Sequence, residues 1–370
     1  MPSGPRGSDA IDTAIDESDA IGFVTRCRGD DPTSRYVTGF DVDHDVVYVR
    51  LPGETHLRVP STVDIPEAAD AASIRVDDQP AGKAAAAVLA SHAETGTVLT
   101  PRTIPHDAAL HLEAAGYELA STTALRDARA TKDAAELDAL EWVQRAATRG
   151  IKTAAVILAD ADVEDGTLVW SDAPLSTERI RRQVNATLAV EGVDAAGATT
   201  VTTGTRGGRD EAVELVAGEP IVVSVSPRGP FGYRGALART FVVDADGGWE
   251  RRAHVACDAA RDVALVEANP GADAGFVGSE IRAETAAFGF SMESEVTRDV
   301  GGGIGLSARE YPPLDGDTEL AAGHVCRIRS AITHPDHGQV ELTDVLVVED
   351  DGPRYLADVP TGLDPAGWTE

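Results

Sequence analysis

The stretch VTRDVGGGIGLSARE, Val296 to Glu310, constrains the fold more than any other segment of the chain. Gly301, Gly302, Gly303 and Gly305 leave the middle of it almost without side chains. Glycine reaches backbone conformations closed to other residues and lets backbone approach without a β-carbon in between, at an entropic cost on folding. Such a run predicts backbone packed tightly against another segment or a ligand. No histidine or cysteine stands among these glycines. Asp299, beside Val300, reads as a turn former and not as a base.

A chain of 370 residues exceeds what one ordinary core organises, so two domains are expected. Sixty-two acidic against 32 basic residues give a formal charge of −30, and only Lys83, Lys132 and Lys152 are lysines. Such a surface repels itself unless salt screens it over a few ångströms, which fits a protein working at high salt. It also argues against nucleic-acid binding, because no basic stripe exists to displace counterions. Cys27, Cys257 and Cys326 form no CxxC pair, so neither a disulfide framework nor a zinc site is indicated. The opening MPSGPRGSDAIDTAIDE has no apolar signal core, and no apolar run long enough to span a membrane follows. A cytoplasmic location is the expectation.

Along the first half, AIGFVTRC and DVVYVRL read as strands and AGKAAAAVLASHAE as a helix. Leu140, Val143, Ala147, Ile151, Ala154 and Leu158 recur at three and four, predicting a long amphipathic helix. The domain boundary is placed just before it, giving domains 1–130 and 131–370. Ser176 is a candidate N-cap for a helix burying Ile180, Val184 and Leu188. PIVVSVSP and RTFVV read as strands, HVACDAARDVALVEANPG and GSEIRAETAAFGF as helices, and HVCRIRSAI and QVELTDVLVV as two final strands. The class is α+β, with antiparallel pairing in the larger domain.

This order of strands, Gly-Tyr and Arg-Thr-Phe steps, paired helices, Gly-x-Gly-Ile-Gly-Leu and two terminal strands resembles the pita-bread metallopeptidases. That family includes methionine aminopeptidase, Xaa-Pro aminopeptidase, Xaa-Pro dipeptidase and the metal-free creatinase. The likeness covers almost the whole chain. YVTGF resembles a signature of their N-terminal domain, and RATKDAAELDAL resembles the helix entering the catalytic domain. The resemblance implies a pita-bread C-terminal domain behind a smaller α/β domain.

It also implies a metal pair held by two aspartates, a histidine and two glutamates, since hard divalent ions favour carboxylate oxygens and activate water between them. In this sequence the aspartate positions fall on Ser224 and Ala236, the histidine on Gly302, and the glutamates on Arg329 and Thr343. The family histidine preceding Glu310 is Arg309 here, and the chain has no histidine between His111 and His254. Glu341 stands two residues before Thr343, so on a strand both point to one face. The motif HPDH, His334 to His337, reads as a surface loop, and His254 and His324 as helix or strand-end residues.

The expectation is therefore a catalytically degenerate member with no metal or other cofactor, acting as a binding or regulatory protein and forming homodimers. A small carboxylate or a peptide is the expected ligand. Two readings of Arg329 stay open: a structural ion pair with Glu341, or an anion site shared with Arg239 and Arg309. Two alternatives also stay open, an Xaa-Pro peptidase with unfamiliar ligands and a metal-free hydrolase like creatinase.

Overall fold

The apolar face read between Leu140 and Leu158 becomes helix α6 (Ala134–Ala159) of the larger unit, and all six of its residues are buried. Its start is fixed locally. The Asp133 carboxylate accepts from the Glu136 N–H at 2.8 Å, and the Glu136 side chain accepts from the Asp133 N–H at 3.1 Å, a reciprocal capping box. Asp133→Ala is expected to lower stability by about 1 kcal/mol, read as a shift in the urea midpoint. An unchanged midpoint would show that packing alone sets this end.

The computed structural model describes residues 6–29, 31–40, 44–61, 73–204, 206–208 and 211–369. The first five residues of the N-terminal stretch noted above lie outside them. The chain divides into units 2–129 and 130–370.

The first unit holds α1 (Ser8–Glu17), β1 (Gly22–Cys27), α2 (Pro32–Thr38), β2 (Val46–Leu51), β3 (Glu54–Val59) and β4 (Ser73–Val76). It continues with α3 (Ala81–Leu89), β5 (Gly96–Pro101), α4 (His106–Ala114) and β6 (Tyr117–Thr122), and α5 (Ala124–Ala130) ends at the division. Its mixed sheet runs β4-β3-β2-β1-β5-β6, antiparallel between β1 and β2 and parallel from β1 through β5 to β6. YVTGF is the end of α2, stopped by Gly39 at φ 80°, where a β-carbon would be strained.

After α6, a small meander of β7 (Asp162–Glu164), β8 (Thr167–Trp170) and β9 (Ala173–Pro174), not anticipated from sequence, precedes α7 (Thr177–Val190). Ser176 caps α7, and Ile180, Val184 and Leu188 are buried. Gly150 lets α6 approach: a β-carbon there would stand 3.2 Å from Leu188 and 3.3 Å from Val184. Then come β10 (Thr200–Thr203), β11 (Arg206–Gly208), β12 (Ile221–Val225), β13 (Leu237–Phe241), α8 (Trp249–Glu267) and α9 (Ala274–Ala287). The chain closes with β14 (Gly301–Gly303), β15 (Glu310–Pro313), β16 (Val325–His334), β17 (Gly338–Glu349), β18 (Gly352–Tyr355) and a short 3-10 turn, Pro365–Trp368.

The described strands of the curled antiparallel sheet run β11-β10-β12-β13-β17-β16-β14-β15, with β18 beside β17. Strand periodicity sorts its residues. Val201, Val223 and Phe241 pack with α6 and α7, while Cys326, Ile328, Leu346 and Val348 pack with α8 and α9. Each such Leu, Ile or Phe contributes roughly 1.5–3 kcal/mol on burial. All four helices thus cover one face, and the alternate residues are left for the other.

Candidate functional site

On the uncovered face, one row of directly paired residues crosses five strands: Thr200, Ser224, Ala238, Thr343 and Arg329. Ser224, Ala236, Arg329 and Thr343 line a cavity of about 450 Å³ together with Glu341, Gln339 and Asp299. Gly302 lies in an adjoining cavity of about 280 Å³. Asp299, Ala308 and Arg327 line both and so form the partition between them. Ala236 is fixed from behind by Gln144 of α6, whose amide donates to the Ala236 carbonyl at 2.9 Å and accepts from its N–H at 3.2 Å. The loop leading there is tied down by Tyr233, whose hydroxyl donates to Glu136 at 2.7 Å.

Arg329 donates through Nη2 to Glu341 at 2.6 Å and through Nη1 to the Thr297 hydroxyl at 2.8 Å. Of the two readings of this arginine, the ion pair is the one the geometry contains. Glu341 also accepts from Gln339 at 2.9 Å and from Thr343 at 3.0 Å, so both its oxygens are engaged.

Asp299 is more than a turn former. Its carboxylate accepts from Arg309 at 2.6 Å and from Arg327 at 2.9 and 3.0 Å. Burial alone would raise its pKa, but Arg327, Arg309 and Arg329 outweigh burial and hold it below its usual 3.8. A depressed pKa in the folded state contributes stability above the unfolded value, and that contribution is lost as pH falls through the folded value. Asp299→Asn is therefore expected to flatten the acid limb of a stability–pH curve below about pH 4, measured by urea unfolding. An identical acid limb in both proteins would contradict this.

Arg239 does not join these arginines. It is completely buried on the helix-covered face, where Nη2 donates to Asp344 at 2.7 Å and Nε to the Pro360 carbonyl at 2.8 Å. Its odd spacing from Ala236 and Ala238 turns it away from the cavity. Arg327, unremarked in the sequence, takes its place, because it lies two residues from Arg329 on β16 and shares that strand's inner face.

The Gly-rich segment has a specific geometry. Gly301 has φ 120° and Gly302 has φ 149°, conformations that L side chains rarely adopt. Gly302 pairs with Arg327 on one side and Pro313 on the other. A β-carbon on it would lie 3.0 Å from Pro313 Cα and 3.1 Å from the Pro312 carbonyl oxygen. The close approach expected of these glycines is thus to neighbouring backbone. Glu310, at the end of the segment, accepts from Lys132 at 3.2 Å and from the Ser307 N–H at 3.0 Å, with both charged side chains nearly fully buried.

The histidines lie elsewhere. His254 on α8 bonds the Thr361 carbonyl at 2.7 Å, and His324 Nδ1 accepts from the Ala321 N–H at 3.1 Å just before β16. HPDH forms the tight turn between β16 and β17, where His337 stacks on Trp249 with ring centroids 5.3 Å apart. Among the described residues, no group of three or more His, Cys, Asp or Glu is placed to hold a metal ion. No described helix is long and apolar enough to cross a membrane.

The model of metallopeptidase family M24 matches residues 125–350. Among solved structures, the chain is similar to the prolidase from Pyrococcus horikoshii, at 17% identity over 96% of this chain and 99% of that one, with a TM-score of 0.80. It is similar to the Xaa-Pro dipeptidase from Bacillus anthracis at 16% identity, with coverage of 96% and 98% and a TM-score of 0.82. It is also similar to the N-terminal domain of FACT complex subunit SPT16 from chickpea, at 14% identity, coverage of 97% of each chain and a TM-score of 0.73. No curated protein matches the sequence significantly. At these identities the structural likeness is one of fold, and that fold carries proteins named for quite different roles.

Proposed function

The chain belongs to metallopeptidase family M24, and from that premise we propose that it keeps the family's pocket as a binding site without metal-dependent hydrolysis. The observation that carries this reading is Arg329. It stands where the resemblance places a metal-binding glutamate, within the same cavity as Ser224, Ala236 and Thr343. A guanidinium there disfavours any incoming cation, because charges a few ångströms apart are poorly screened inside a protein.

The donor set supports it too. Two hydroxyls, a methyl group, a glycine and a guanidinium at the five inherited positions offer no carboxylate, so the residues do not fit a divalent pair. The two acids that could stand in are committed, Glu341 to Arg329 and Asp299 to Arg309 and Arg327. A peptidase with substitute ligands would first have to break these pairs. A metal-free hydrolase like creatinase would need a histidine base, and no histidine lines either cavity. The proposed ligand class is a small carboxylate or peptide, and the acidic surface suits work in concentrated salt.

Hydrolysis of Ala-Pro and Ala-Pro-Ala in molar KCl tests the reading, with manganese, cobalt or zinc supplied in turn. The expected rate equals the metal-free blank. Metal-dependent turnover that chelation abolishes would overturn it.

A further inference from the structure

We propose that the cleft selects small organic acids that carry a carboxylate and no ammonium group, with Arg327 and Arg309 as the carboxylate's partners beside Asp299. The inference rests on the reading above that the cavity is a binding site.

Asp299 already shows what these arginines accept. Its carboxylate sits between Arg309 and Arg327 at 2.6 to 3.0 Å, on the partition common to both cavities. A guanidinium carries five N–H donors in a planar fork. Both arginines spend only Nη2 on Asp299 among the described contacts, so their remaining donors stay open to a ligand. Arg309 is three-quarters exposed, so it can swing with a ligand.

Acceptors are scarce by comparison. Glu341 is engaged by Arg329, Gln339 and Thr343. Glu310 is held by buried Lys132, and Asp315, the remaining acid of the smaller cavity, is exposed to solvent. An ammonium group entering the cleft therefore meets only the solvent-exposed Asp315 uncommitted among the described lining acids, and burying it away from there unpaired is costly. A carboxylate meets ready arginine donors. Ser226 adds a hydroxyl whose Oγ is buried without a partner in the larger cavity, able to bond a ligand's hydroxyl or carbonyl.

The experiment is calorimetric titration of the full chain with lactate, succinate and alanine, at constant potassium and ionic strength. Lactate and alanine differ chiefly in a hydroxyl against an ammonium. Lactate and succinate are expected to bind saturably and alanine at least tenfold more weakly, in line with the penalty for an unpaired buried charge. Asp299→Asn removes the competing carboxylate charge from the arginines and should tighten succinate roughly tenfold, while Arg327→Gln should abolish binding. Should Arg327→Gln fail to fold, exposed Arg309→Gln decides, with an expected severalfold loss of affinity. Alanine binding as tightly as lactate, or affinity for succinate unchanged by Asp299→Asn, would overturn the proposal. Absence of acid binding together with absence of metal-dependent turnover would overturn it alone and leave the reading above standing. Metal-dependent turnover would instead remove that reading.

Discussion

Replacing Arg239 with methionine will cost the fold about 3 kcal/mol, the low end of the penalty for breaking a buried ion pair, since Arg261 still faces Asp344. Arg239 is fully enclosed and ties four places together. It reaches Asp344 on β17, the Thr343 carbonyl at 3.0 Å, the Pro360 carbonyl at 2.8 Å and its neighbour Ala238's carbonyl at 2.8 Å. Asp344 keeps only Arg261, which donates through Nε at 2.9 Å and lies over the Tyr355 ring at 4.0 Å. The lost donors also release the Val359 and Pro360 carbonyls. The double variant Arg239→Met with Asp344→Leu should recover part of the loss, because it removes the half-paired carboxylate as well. Urea unfolding at fixed salt measures both. A single-variant loss below about 1 kcal/mol would mean that the pair is solvated in a way its burial contradicts.

Placing a histidine at Gly302, where the family resemblance puts a ligand histidine, is expected to damage the protein. The residue holds φ 149°, a region costing a side-chain-bearing residue about 1–3 kcal/mol, before any contact is counted. Its β-carbon would press on Pro313 Cα and the Pro312 carbonyl, which are backbone and can yield only if β15 moves away from β14. The neighbouring Gly301 is tighter still, since a β-carbon there would overlap the Arg327 carbonyl oxygen. Gly302→His should therefore lower stability by at least about 2 kcal/mol and confer no metal affinity. A stable Gly302→His protein that binds zinc would show that the segment retains a conformation suited to a ligand side chain.

These two residues also show how far sequence carries. The α+β class and the antiparallel sheet followed from periodicities that burial obeys residue by residue, as in α6 and α7. Ser224, Ala236, Arg329 and Thr343 were named from short motifs, and each sits in a strand or beside one whose neighbours fix its facing. Strand parity also held the correction for Arg239. Three residues from Ala236, it had to face the helices, and Arg327 had to share a face with Arg329. Asp299 was a different matter. Its role depends on Arg327 and Arg309 closing on it from β16 and from the end of the glycine segment, and no local pattern encodes that approach. The glycines were legible as close packing, but not that β15 and β16 backbone fills the space on both sides. The meander β7 to β9 escaped because strands of two to four residues carry too little alternation to register.

Metal stoichiometry measures most directly whether this pocket works without the family's metal pair. The purified chain would be dialysed in molar KCl against manganese, cobalt and zinc, and the bound metal counted per chain. No stoichiometric metal is expected in the unmodified protein, and none in the Arg329→Ala variant, where losing the guanidinium also frees the Glu341 carboxylate. Two divalent ions per unmodified chain, released by a chelator together with any Ala-Pro hydrolysis, would contradict this and point to Glu341 and Glu310 as the first ligands to test.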